Sequence, residues 1–173
     1  IGGNKFLLED KGTRVFLDFG MQMGKANDYF AEFTQPRGLN GMGDYFEFGL
    51  LPKLHGLYRK DYSKHMEFDN DHKKDTEYHG VILTHAHVDH AAYIHFLRPE
   101  IPVFCTEATK LIMQCFQDTG SHEEYITYKE NFKIYQNNKG ELSRAKDDKN
   151  REIIQRNIKT ITPYKKFKID SIE

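Results

Sequence analysis

The chain has 173 residues, of which 38% are hydrophobic, 29% charged and 13% aromatic, with 13 Phe, 10 Tyr and no Trp. This length suits one domain with a real core, and the aromatic content excludes a disordered chain or a collagen-like repeat. The formal charge of −1 is unevenly spread, because Lys129–Lys168 carries 12 Lys and Arg against 5 Asp and Glu. A basic stretch on an otherwise acidic chain points to a polyanionic partner or, more commonly, to a solvated face. The most apolar runs, Ile101–Cys105 and Leu111–Phe116, fall far short of the roughly 20 residues a bilayer span needs, so no membrane partner is expected. Ile1–Gly3 has neither the basic nor the apolar region of a signal peptide. Cys105 and Cys115 build no disulfide framework and read as free, at least partly buried thiols, which predicts a reducing, cytoplasmic location.

Lys5–Glu9 reads as a strand that returns at Arg14–Asp18 across the hairpin connection Asp10-Lys11-Gly12. Gly20 closes the second strand. From Lys25 to His79 the pattern is irregular, but Phe46, Phe48, Leu50, Leu51, Leu54, Leu57 and Tyr58 predict that this stretch packs onto the domain. Segments this long without regular structure are uncommon unless functional. Gly80–Thr84 (GVILT) predicts a strand covered on both faces. Ala91–Leu97 predicts a helix stopped at Arg98–Pro99, and Pro102–Thr106 a second buried strand. Glu107–Asp118 predicts an amphipathic helix with Leu111, Ile112, Cys115 and Phe116 on its apolar face and Gly120 at its end. Alternating strand and helix is the βαβ signature, so the fold class is α/β. Ser121–Asn150 reads as charged loop and helix, Arg151–Ile158 as a short helix, and Phe167–Ile172 as a strand that stops in mid-pattern.

The residues with the strongest chemical content are His85-Ala86-His87-Val88-Asp89-His90. Imidazole nitrogens and carboxylate oxygens are zinc ligands at about 2.0–2.2 Å. Four of them fall within six positions, directly after a buried strand and before a helix. In open α/β sheets the C-terminal edge of the strands is where ligands bind. A loop there can aim all four side chains at one point, whereas a continuous helix would turn His87 away from His85 and Asp89. A cluster of surface histidines is the bland alternative, and it accounts for neither the apolar strand nor the Asp.

THAHVDH, Thr84 to His90, resembles the HxHxDH motif of the metallo-β-lactamase superfamily, and VFLDFG (Val15–Gly20) resembles that family's first motif. Within the superfamily, IGGN (Ile1–Asn4), the long insertion and GLLPKLHGLYR (Gly49–Arg59) resemble the β-CASP, ribonuclease J-like RNA-processing branch. The resemblance implies an αββα sandwich of which residues 1–173 form the N-terminal half, a mixed sheet with covering helices. In that frame 25–79 is an insertion before the metal motif and 121–150 a charged variable segment, and the C-terminal half and the β-CASP insertion are absent. His85 and His87 would hold one metal, and Asp89 and His90 a second. Two Zn²⁺ per complete site would activate water against an RNA phosphodiester, with Asp89 also orienting the nucleophile. Asp18 would orient the loop through hydrogen bonds; without the resemblance it is an ordinary strand-end turn residue. The family's later ligands, two His and a bridging Asp, have no counterpart, since His95, His122 and Asp170 lie outside the pattern. Weak or single metal occupancy and little activity are therefore expected of this chain alone.

The implied function is a zinc-dependent ribonuclease, with single-stranded RNA and further copies of the chain in a homo-oligomer as its partners. Two alternatives stand beside it, a metallo-hydrolase of a small thioester or lactam and a metal-poor binding or regulatory module. Tyr58, Arg59 and Lys60 either stack on and pair with RNA or fasten the insertion to the domain. His95 reads as a packing or surface residue, and Asp69, Asp71 and His72 as a solvated loop. Gly2–Gly3 is either a close approach to the site or an ordinary turn.

Overall fold

A computed structural model of the chain describes residues 2–31, 33–63, 75–120, 124–130, 134–144 and 151–173. Strands β1 (Phe6–Asp10) and β2 (Thr13–Leu17) form an antiparallel hairpin from Phe6↔Leu17 to Asp10↔Thr13. Lys11 and Gly12 join them with φ of 46° and 85°, the left-handed pair that matches the twist of a two-residue hairpin turn. Among the described residues, three short α-helices and a 3-10 turn at Gly38–Asn40 interrupt the stretch expected to be irregular: α1 (Met23–Tyr29), α2 (Gly43–Glu47) and α3 (Lys60–Ser63). Strand β3 (Gly80–Ile82) leads through the histidine-rich loop into α4 (Val88–Ala91), and β4 (Val103–Thr106) leads into α5 (Glu107–Asp118). The described remainder is β5 (Thr127–Lys129), β6 (Ile134–Gln136), β7 (Leu142–Arg144), β8 (Ile153–Gln155) and β9 (Ile158–Ile161). The main sheet has the order β1-β2-β3-β4-β9, with β2, β3, β4 and β9 parallel. The architecture is α/β with a mixed sheet.

Alternation along the strands divides the sheet into two faces. Phe16, Val81, Val103 and Cys105 point into the larger core, where the insertion contributes Phe46, Leu50, Leu51, Leu57 and Tyr58. Val15 and Phe104 point the other way, onto a smaller cluster closed by Ile169, Phe167 and Ile172. Val81 on one face and Ile82 on the other give β3 its cover on both sides. Tyr58 and Leu97 pair in an isolated antiparallel bridge, with Arg59 N donating to Phe96 O at 2.9 Å and Arg98 N to Leu57 O at 3.0 Å. Those bonds pin the insertion to the layer that follows the histidine-rich loop.

Several sequence expectations need correction. Arg151–Ile158 forms no helix: its residues enter β8 and β9, because Ile158 and its neighbours complete the edge of the sheet beside β4. The described parts of 121–150 hold three short strands and no helix. Phe167–Ile172 contributes only the bridge Ile169↔Ile172, with Asp170 turning the chain at φ 48°. After α4 the chain tightens into a 3-10 helix over Ala92–Phe96. Helix α5 buries Thr109 and Met113 and leaves Leu111 and Ile112 exposed at 56% and 47%, so its inward face is not the one the apolar residues mark. Cys105 is buried and Cys115 exposed, and both are free. Among the described residues, no helix is long and apolar enough to cross a membrane.

Candidate metal centre

The loop Thr84–His87 leaves β3 at the C-terminal edge of the parallel strands, and backbone hydrogen bonds hold it against the end of β2. Asp18 N donates to Ile82 O at 2.9 Å, Phe19 N to His90 O at 2.8 Å and Met21 N to Val88 O at 3.1 Å. Gly3 N donates to Asp89 O at 3.0 Å, so the N-terminal turn does approach the loop. Gly20 makes the closest approach. A Cβ added there would lie 1.8 Å from Asp89 O and 2.4 Å from His90 N, which only a residue without a side chain avoids.

Asp18 closes β2 with φ 58°, an uncommon conformation for a residue other than glycine. It is 4% exposed. Its carboxylate accepts from Thr84 N at 2.8 Å, from Thr84 Oγ1 at 3.0 Å, and from His90 Nδ1 at 2.7 Å. These partners assign the tautomers. With the carboxylate accepting, the neutral form of His90 carries its proton on Nδ1 and leaves Nε2 as a lone pair. The Thr84 hydroxyl has one hydrogen, and Asp18 takes it. The 2.9 Å contact between Thr84 Oγ1 and His85 Nδ1 is then a bond donated by His85, which also leaves its Nε2 free to accept. Fixing one ring nitrogen to expose the other is how proteins prepare a metal-binding imidazole.

The three rings cluster. His85 lies 4.5 Å from His87 and 4.1 Å from His90, centroid to centroid. Burial, followed by the neighbouring rings of His90 and His87, pushes the His85 pKa below the usual histidine range and favours the neutral, ligand-ready form. His90 Nε2 lies 3.5 Å from Asp89 Oδ2. The donor set, three imidazoles and a carboxylate, fits a divalent transition metal by its chemistry. Its present arrangement does not complete a chelate: among the described residues, no three His, Cys, Asp or Glu side chains are set to hold one ion together.

The other sequence candidates separate from this centre. Tyr58 is fully buried; its hydroxyl donates to Pro52 O at 2.5 Å and its ring packs on Phe46. Arg59 is 2% exposed and binds Asp61 in a fork at 2.6 and 3.0 Å. It also donates to His95 O and Lys129 O, both at 2.9 Å, and its guanidinium lies 3.8 Å from the Tyr128 ring centroid. Both residues fasten the insertion and neither offers a face to RNA; Lys60 is exposed beside them. His95 packs on Phe96 and bonds Ala92 O through Nδ1 at 2.6 Å. Asp69, Asp71, His72 and His122 lie outside the described residues. Sequence reasoning missed Gly20 as a contact of the loop, and it missed Thr84, whose hydroxyl ties Asp18 to His85. The signal available for Thr84 was its place between the strand and the first histidine.

No family model and no curated protein matches the chain. Among solved structures, the chain is similar to a protein of unknown function from Enterococcus faecalis V583, with 27% identity and a TM-score of 0.52. The match covers 69% of this chain and 26% of that one, so the chain spans about a quarter of its neighbour's length.

Proposed function

We propose that the chain carries the metal-binding part of a zinc-dependent hydrolase of the metallo-β-lactamase type, acting on RNA phosphodiesters. One observation carries this reading: Asp18 and Thr84 engage Nδ1 of two adjacent imidazoles at the sheet's C-terminal edge, an arrangement that leaves Nε2 of each neutral ring as a lone pair. A divalent ion bound there would supply Lewis acidity and a water acidic enough to ionise near neutral pH. His85, His87 and His90 are the nitrogen donors. Asp89 adds a carboxylate that holds the ion and orients the attacking water. Asp18 keeps the His90 ring at its angle, and Gly20 lets the strand end and the loop meet.

RNA as the substrate is supported by the basic excess of Lys129–Lys168, where Lys129, Lys139, Lys159, Lys165, Lys166 and Lys168 are exposed. Cations on a surface draw a phosphate backbone with salt-sensitive affinity. A second reading, a metal-poor binding module, is favoured by the incomplete chelate. Cleavage of a labelled single-stranded RNA by the complete protein, with Zn²⁺ present, tests the proposal. His85→Ala/His87→Ala should abolish cleavage with the circular dichroism spectrum unchanged. Cleavage at the wild-type rate by that double variant would remove the reading.

A further inference from the structure

Beside the histidine-rich loop, the insertion and the 3-10 helix enclose a cleft of about 200 Å³ whose lining contains no charged side chain. Phe30 and Pro36 give it apolar wall, and Asn27, Gln35, Tyr45 and Tyr93 give it polar groups. Tyr93 is 3% exposed as a residue, and among the described residues its hydroxyl makes no hydrogen bond, which leaves it free to donate into the cleft that it lines. The hydroxyl of Tyr45 makes none either.

The Tyr93 ring is held in place. Tyr45 meets it edge-on at 5.7 Å, Lys5 Nζ lies 5.1 Å from its centroid, and Tyr93 N donates to Phe19 O at 3.0 Å. Burial pushes the Tyr45 pKa up to about 12 and raises that of Tyr93 as well, so both hydroxyls keep their protons as donors. Across Tyr45 and Pro36 lies a second cleft of about 200 Å³, lined also by Arg37. Asp44 holds Arg37 through Nε and Nη2, and among the described residues Nη1 has no partner. The cleft is smaller than the roughly 300–1,000 Å³ that takes a drug-sized ligand, and it matches a single planar ring. Uncharged hydroxyls and amides around apolar wall recognise a neutral heteroaromatic edge, and a neighbouring guanidinium recognises phosphate. The cleft also abuts the metal loop, since Met21 lines it and Met21 N donates to Val88 O.

We propose that the Tyr45–Tyr93 cleft is a nucleobase subsite, with Arg37 beside it for the adjoining phosphate. This rests on the RNA reading above and names how one nucleotide of that substrate is held. Its test is the affinity of the chain for a short labelled oligoribonucleotide and for its abasic counterpart with the same phosphates. Both are measured by fluorescence anisotropy in EDTA, so that neither metal nor hydrolysis enters. The strand with bases should bind about 10-fold more tightly. Tyr93→Phe and Tyr45→Phe should each weaken that strand about fivefold and leave the abasic strand unchanged, whereas Arg37→Ala should weaken both strands alike. Equal affinity for the two strands, binding of neither, or hydroxyl variants that bind both as the wild type does would overturn the subsite. An Arg37→Ala variant with wild-type affinity would overturn the phosphate contact. Failure of metal binding or cleavage, measured separately, would remove the hydrolase reading and leave a base preference standing.

Discussion

His90 Nδ1 lies 2.7 Å from Asp18 Oδ2, and through that bond the end of β2 sets the ring angle of a histidine 72 positions further on. The same carboxylate accepts from the backbone and side chain of Thr84, so a single buried group organises both ends of the histidine-rich loop. Asp18→Asn keeps the size of the side chain and its tolerance of a left-handed backbone, but offers an amide where Asp18 only accepts. It should weaken Zn²⁺ affinity about 10- to 100-fold with little loss of stability, as read by competition with a chromophoric chelator. Unchanged affinity would reduce Asp18 to a strand-end turn residue.

Gly20 tests the packing of the same loop. The groups that an added methyl would strike are Asp89 O, Asp89 C and His90 N, all of them backbone, so no side chain can rotate to make room. Gly20→Ala should cost about 3 kcal/mol or leave the protein insoluble. Urea denaturation of the soluble fraction checks this, and a midpoint equal to that of the wild type would contradict the close approach.

The strands and the site were legible in the sequence to different depths. The hairpin, β3, β4 and α5 were readable because alternation, a turn glycine and short apolar runs are local signals. Residues 151–158 were misread because Ile153, Ile154 and Ile158 suit a short helix or a strand equally well, and pairing of β8 with β5 and of β9 with β4 decides the matter. Leu111, Ile112 and Phe116 marked an apolar face on α5, but the sheet beneath selects Thr109 and Met113. The histidines and Asp89 were visible as a spacing pattern. The burial of Tyr58 and Arg59 was not, because it depends on Asp61 nearby and on residues 124–129 far along the chain.

Asp44 organises the part of the insertion that carries Arg37. It is 4% exposed and accepts from Arg37 N at 2.7 Å, Arg37 Nη2 at 2.6 Å and Asn40 Nδ2 at 2.8 Å. The Arg37 guanidinium leads in lowering its pKa, to about 2. A depressed carboxylate stabilises the fold above its unfolded value near 4, and that contribution is lost as pH falls towards 2. Asp44→Ala should therefore cost about 2 kcal/mol at pH 7, and the difference from the wild type should shrink as pH falls through that window. Urea titrations at several pH values check both statements.

His95 gives a second acid-sensitive contribution. Burial lowers its pKa to about 3; Arg156 and Arg59 push the same way, against the Ala92 carbonyl and Asp61. The unfolded chain takes up a proton near pH 6.5 that the folded chain refuses until about 3. Stability is therefore complete above pH 6.5 and declines as pH falls through that window, by about 2 kcal/mol at pH 5. His95→Gln should flatten the dependence of the melting temperature on pH between 6.5 and 5. An unchanged slope would mean that the ring protonates in the folded state.

The most direct measurement is calorimetric titration of Zn²⁺ into metal-free protein, with His85→Ala/His87→Ala run in parallel. Saturable binding by the wild type, weakening as pH falls below 6 and absent from the double variant, is the predicted result. A wild-type chain that takes up no Zn²⁺, or a variant that binds it equally well, would contradict the assignment of the loop as a metal centre.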